Sequence, residues 1–176
     1  QQLRRSVVLE VLDRTGTDLD DGLIIGATHT HSGPGRVVDG GGLYDLITDK
    51  FFPEFYEGVV HAMADVVIEA LDDRKPGRLG LGAAYTDDGH DDRRCEDGLD
   101  HENGDLPIIA LEQEGEVVGV LLTYAVHGTV LGIEDLTLSQ DVSGGIEQAV
   151  ADRFDRPVTV AMFNAWGADM SPADVT

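Results

Sequence analysis

The chain has 176 residues, 41% of them hydrophobic, which is one domain's length with enough apolar content for a core. It carries 34 acidic residues against 12 basic ones, a formal net charge of −22 that argues against nucleic acid as a partner. No apolar run approaches the roughly 18 residues of a membrane span and no basic leader opens the chain, so a soluble globular domain without a transmembrane segment is expected.

In chain order, Leu3, Val7, Val8, Val11 and Leu12 recur at helical spacing and predict a first helix over 3–12. Residues 22–28, GLIIGAT, form a short apolar run between Asp-Asp and a Gly/Pro loop, the length of a buried strand. A long helix follows, with Phe55, Val59, Met63, Val66, Val67, Ala70 and Leu71 on one face. His61 sits on another face of it beside acidic residues and reads as solvated. Residues 79–85 predict a strand, 87–105 a long polar connection, and 107–112 with 117–126 a hairpin across a Gln/Glu/Gly turn. A helix over 144–154 and a strand over 157–163 complete the pattern. Alternation of helices and strands around one hairpin predicts an α/β fold, a mixed β-sheet with flanking helices.

Lysine occurs only at Lys50 and Lys75, and Asp pairs such as Asp20-Asp21 and Asp91-Asp92 are spread between apolar segments, as in a solvated acidic shell. Such surfaces suit high salt, where ions screen self-repulsion, so a halophilic source is the favoured reading over a cation-binding surface. Cys95 is the single cysteine, which excludes an intrachain disulfide and leaves a free thiol. No feature fixes an oligomeric state. A start at Gln1 without Met and an end at Thr176 just after a motif-like segment lead to the expectation that 1–176 is a partial domain of a longer protein.

Polar chemistry gathers where apolar runs end. In ATHTHSGPG, His29 and His31 leave an extended chain on one side, because side chains alternate with period two. Neutral imidazole is a common zinc ligand, and a strand end opening into a Gly-rich loop is a frequent place for a site. Two solvated loop histidines are the bland alternative. His127 follows the second hairpin strand, and the polar loop from Asn164 to Ser171 follows the last strand, so the site is expected at the carboxyl ends of the strands. His127 alone would read as a core histidine bonded to a carbonyl, and Ser171 alone as a turn residue before Pro172.

Four motifs in order, ATHTHSGPG, AVHGT, S-x-D-x-x-G at Ser139, Asp141 and Gly144, and NAWGADMSP, resemble the N-terminal amidase domain of the neutral/alkaline non-lysosomal ceramidase family over nearly the whole chain. The resemblance implies a zinc-dependent amide hydrolase that cleaves the N-acyl bond of ceramide to a fatty acid and sphingosine. Carried over by position, it implies His29 and His127 as zinc ligands, His31 as a pocket histidine that is not a ligand, and Ser171 as the nucleophile with Asp169 in the same loop. Arg93 matches a pocket arginine, with Arg94 as a competing alignment. The remaining family ligands, a Glu and a Tyr, are expected downstream of residue 176, as is a C-terminal β-sandwich, and the family is compatible with secretion. Ala168, Ala173 and Gly128 replace the family's Gly, Asn and Pro, and Asp92 precedes Arg93 where the family has Asn. Ala168 would alter its turn if positive φ were needed there.

Two mechanisms stay open, attack by Ser171 with His31 or zinc-bound hydroxide taking its proton, and attack by zinc-activated water. A plain Ser-His-Asp hydrolase is disfavoured by the lack of a GxSxG elbow. Other readings are a same-fold metal hydrolase acting on a non-sphingolipid N-acyl amide or ester, and a noncatalytic metal-binding segment.

Overall fold

The computed structural model describes residues 2–39, 41–44, 50–86, 88–94 and 104–173. Cys95, and with it the middle of the long polar connection, lies outside the described residues. The chain forms two compact units, Gln1–Ile25 with Pro34–Lys75, and Gly26–Gly33 with Pro76–Thr176. Among the described residues no helix is long and apolar enough to cross a membrane.

Among the described residues the first unit carries two α-helices, α1 (Gln2–Thr15) and α2 (Pro53–Asp72), and a short 3-10 helix at Gly42–Tyr44. Pro53 at the start of α2 loses nothing there, because the first N–H groups of a helix have no intrahelical partner. Val7 and Val11, one turn apart, bury against Val60 and Ala64 of α2, with Tyr56, Met63 and Val67 closing the contact. The buried stripe of α2 is therefore rotated from the expected one. Val66, assigned to the core face by spacing, is 66% exposed, because the narrow ridge of valines on α1 selects Val60 and Ala64. His61 is exposed, with Nδ1 3.0 Å from the Glu10 carboxylate of α1.

The second unit carries a four-stranded sheet in the order β1 (Arg78–Tyr85), β3 (Asp105–Gln113), β4 (Glu116–Tyr124), β5 (Thr159–Asn164). The first three strands are antiparallel and β4 pairs with β5 in parallel, so the sheet is mixed, as expected. Gln113 pairs with Glu116 across a two-residue turn in which Glu114 and Gly115 have φ of 54° and 85°. Two consecutive positive φ values give the type I′ turn that matches strand twist. Helix α3 (Val142–Ala151) joins β4 to β5 and lays Ile146 and Val150 on a core of Val120, Leu122 and Met162. It begins two residues earlier than spacing predicted, because the Asp141 side chain caps Val142 N.

Two expectations fail. The apolar run 22–28 is not a ladder strand, and Ile24 is 84% exposed. Its backbone is held by isolated contacts instead: Asn164 N donates to Ala27 O at 3.2 Å, and Gly26 lies so close to the Phe163 ring that a Cβ would meet it at 2.5 Å. The polar connection is also not irregular throughout. Its residues His90–Asp92 form β2, which pairs antiparallel with β6 (Met170–Pro172), a pairing invisible in local pattern because both partners are three residues long.

Candidate functional site

Parallel pairing of β4 with β5 brings their carboxyl ends to one edge, and the chain beyond each end is tied to the other. Asn164, at the end of β5, pairs with Val126 through its amide: Oδ1 accepts from Val126 N at 3.3 Å and Nδ2 donates to Val126 O at 2.9 Å. His127 N then donates to Met170 O at 2.7 Å. These bonds place the His127 ring, 8% exposed, over the 164–170 loop. Its Nδ1 lies 3.1 Å from Gly167 O, and since a carbonyl only accepts, Nδ1 carries the proton. That leaves Nε2 as the His127 nitrogen turned toward His29, the arrangement seen in metal-ligating histidines. A side chain at Gly167 would strike Asn164 Oδ1 at 2.7 Å, so the loop needs a glycine at that approach.

The HxH segment meets His127 by a route different from strand alternation. Thr30 forms a single parallel bridge with Gly128, and His31 N donates to Gly128 O at 3.1 Å. His29 takes φ of 62°, a left-handed conformation costly for a residue with a side chain. That kink, not a pleat, directs both rings to one point. His29 Nε2 stands 3.2 Å from His127 Nε2 and 3.4 Å from His31 Nε2. The three rings present ligand atoms all within 4.8 Å of one another, a group that could hold a metal ion. Burial first, then His127, His31 and Arg93, lower the pKa of His29 below its ordinary 6.5, which favours the neutral, metal-competent ring.

Of the two arginines just past β2, Arg93 is the one beside an imidazole: its Nη2 donates to Ala168 O at 2.7 Å and lies 3.5 Å from His127 Nε2, while the Arg94 N–H donates to the Asp92 carboxylate. Ala168 is not among the described residues with positive φ, so its turn tolerates a side chain. Asp169 contributes its carbonyl, which accepts from Arg93 N at 3.0 Å. Ser171 sits half-buried on β6, opposite Asp91, one residue beyond the carbonyl that holds His127 N. Its hydroxyl has no hydrogen-bond partner among the described residues. The structure thus gathers His29, His31, His127 and Arg93, and brings neither Ser171 nor the Asp169 carboxylate into hydrogen-bonding contact with an imidazole.

Gly128 and Asn164 act through backbone contacts that the motifs do not reveal. Gly128 is required because a Cβ there would meet His29 O at 2.5 Å and Thr30 Cα at 2.8 Å. Asn164 works through its amide on distant backbone. His90 is 1% exposed on β2 and stacks at 5.1 Å from the Tyr124 ring.

No family model matches the chain. Similar proteins are the neutral ceramidases of Mycobacterium tuberculosis, 26% identical over 159 residues (82% of this chain and 24% of the relative), and of Pseudomonas aeruginosa, 26% identical over 157 residues (80% and 23%). The crystal structure of the Pseudomonas aeruginosa neutral ceramidase superposes with a TM-score of 0.79 at 19% identity, covering 97% of this chain and 29% of that one. A ceramidase complexed with C2 gives 0.76 at 22% identity over the same shares. The chain spans about a quarter of the length of the curated relatives it matches. The resemblance carried by the four motifs therefore holds for sequence and fold alike, and the chain is similar over that quarter to the neutral ceramidases.

Proposed function

We propose that the chain is the two-loop, three-histidine part of a zinc-dependent amide hydrolase of ceramidase type, acting on the N-acyl bond of ceramide. The observation that carries this reading is the spacing of the imidazole nitrogens. In a tetrahedral site with zinc–nitrogen bonds of about 2.0–2.1 Å, ligand nitrogens sit about 3.3 Å apart. The 3.2 Å between His29 Nε2 and His127 Nε2 fits that edge length. His127, with Nδ1 on the Gly167 carbonyl, turns Nε2 toward His29, and the lowered pKa of His29 favours a neutral donor there. When bound, zinc would supply Lewis acidity toward a carbonyl oxygen and acidify a water to a pKa of about 7.

In this reading His29 and His127 hold the ion, and His31 lines the pocket where it takes up a proton during attack. Ser171 attacks the acyl carbon: its oxygen bonds to carbon, its proton passes to His31, and the C–N bond breaks as the amine leaves with that proton; a water then attacks the acyl-serine, breaking the ester bond, returning a proton to Ser171 and releasing the fatty acid. Arg93 faces the developing oxyanion or a substrate hydroxyl. Asp169 keeps the Arg93 backbone in register through its carbonyl. The rest of the protein, in place of the missing three-quarters of the relatives' length, would supply any further ligands.

The test is turnover of ceramide and of a simple N-acyl amide by the protein that carries this chain, in low and in molar KCl, before and after chelation. Activity lost on chelation, restored by zinc, and reduced on the order of 10³-fold or more in Ser171→Ala with zinc retained supports the reading. Full activity after chelation overturns it. Ser171→Ala with most of kcat intact leaves zinc-activated water as the attacking group. The excess of 34 acidic over 12 basic residues favours a second reading, a salt-adapted hydrolase of a non-sphingolipid amide, and turnover of the simple amide without ceramide would select it.

A further inference from the structure

Helix α3 is preceded by Asp141, whose backbone is strained: φ is 56° and ψ is −144°, a region that side chains disfavour. An N-cap needs one acceptor for one helical N–H. Asp141 does more. Oδ1 accepts from Val142 N at 2.6 Å and also from Val130 N at 3.1 Å, and Oδ2 accepts from Leu131 N at 3.2 Å. Val130 and Leu131 belong to the strand-end loop that begins at His127, so the carboxylate ties that loop to the head of α3.

Two residues earlier, the same segment grips the other loop. Thr30 Oγ1 donates to Ser139 O at 2.8 Å, and Ser139 N donates to Ser32 O at 3.0 Å. Thr30 lies between His29 and His31, so a hold on Thr30 and Ser32 fixes the backbone of both rings. Ser139 and Asp141 are joined in turn, Asp141 N donating to Ser139 Oγ at 3.0 Å. One three-residue segment thus spans the two loops that carry the imidazoles.

We infer that Asp141, with Ser139, is a positioning residue for the metal centre: its carboxylate sets the distance of the His127 loop from the His29–His31 loop, and its loss weakens metal binding more than folding. The inference rests on the reading of His29 and His127 as metal ligands. Strain at Asp141 has a matching rationale. A glycine would adopt that backbone more easily but would carry no acceptors, so the side chain is retained against the local cost.

Cobalt(II) titration of the protein that carries this chain reads affinity and, through the visible absorption bands, ligand geometry. Asp141→Gly relieves the backbone and deletes the carboxylate, and is expected to keep the far-UV circular dichroism of the parent while binding cobalt about 10- to 100-fold more weakly with altered bands. Asp141→Asn keeps one acceptor oxygen and should fall between the two. If Asp141→Gly fails to fold, Thr30→Val removes the Ser139 contact at nearly constant volume and should also weaken binding. A parent and an Asp141→Gly or Thr30→Val chain with equal affinity and identical bands overturn the positioning role alone. A parent that takes up no cobalt overturns the metal reading and this inference with it.

Discussion

The β3–β4 hairpin and the HxH segment each hold a non-glycine residue at positive φ, Glu114 at 54° and His29 at 62°, but what keeps them there differs. At the hairpin the neighbours are local: Gln113 pairs with Glu116, and Gly115 faces open space. At His29 the constraint comes from segments far along the chain, through Ala27 to Asn164, Thr30 to Gly128 and Thr30 to Ser139. Backbone strain at a turn is a consequence of closing a ladder. Strain at His29 is imposed by surrounding structure that over-determines it, and that is where the candidate chemistry sits.

Gly128→Ala should produce the largest break in this comparison. The added methyl would meet His29 O at 2.5 Å, and both partners are backbone, so neither moves freely. About 1–3 kcal/mol of stability should be lost, and zinc affinity should fall by about 10- to 100-fold, measured by thermal melting and by competition with a chromophoric chelator. Gly115→Ala is the hairpin counterpart. It should cost about 1–2 kcal/mol through its positive φ and leave zinc affinity unchanged.

Acid should act on the HxH segment and spare the hairpin. His29 has a folded pKa below its unfolded 6.5, so between the two values the unfolded chain binds the extra proton and the His29 contribution to stability grows as pH rises. Above 6.5 that contribution is level, and below the folded value it is lost. An NMR titration of the metal-free chain should show His29 titrating at lower pH than a free imidazole, while amide exchange at the β3–β4 turn stays constant over the same range. The smallest effect should come from Glu114→Asn, which gives the turn its preferred Asn-Gly pair and should raise stability by about 0.5–1 kcal/mol without touching zinc affinity.

The same contrast explains what the sequence disclosed. Local patterns located the hairpin, since alternating strands around Glu114-Gly115 need no distant partner, and period 3.6 located α1, α2 and α3. The face of α2 was misread because several stripes were apolar and only the valines of α1 choose among them. For the site, His29, His31 and His127 were legible as a set through ordered motifs, while the reason they meet was not. Strand alternation gave the right convergence by the wrong geometry, because a left-handed residue depends on Gly128 and Asn164, about 100 residues away or more. Asp141 was visible only as a motif letter, since its acceptors serve backbone N–H groups that every residue possesses. The β2–β6 pair was hidden for a like reason: three-residue strands carry too little pattern to announce a partner.

Zinc titration of the protein that carries this chain, with single histidine variants, asks whether His29 and His127 meet on one ion. One zinc per chain is expected, lost in His29→Ala and in His127→Ala and retained, with weaker affinity at most, in His31→Ala. Zinc uptake that survives His127→Ala unchanged, or no uptake by the parent chain, would contradict it.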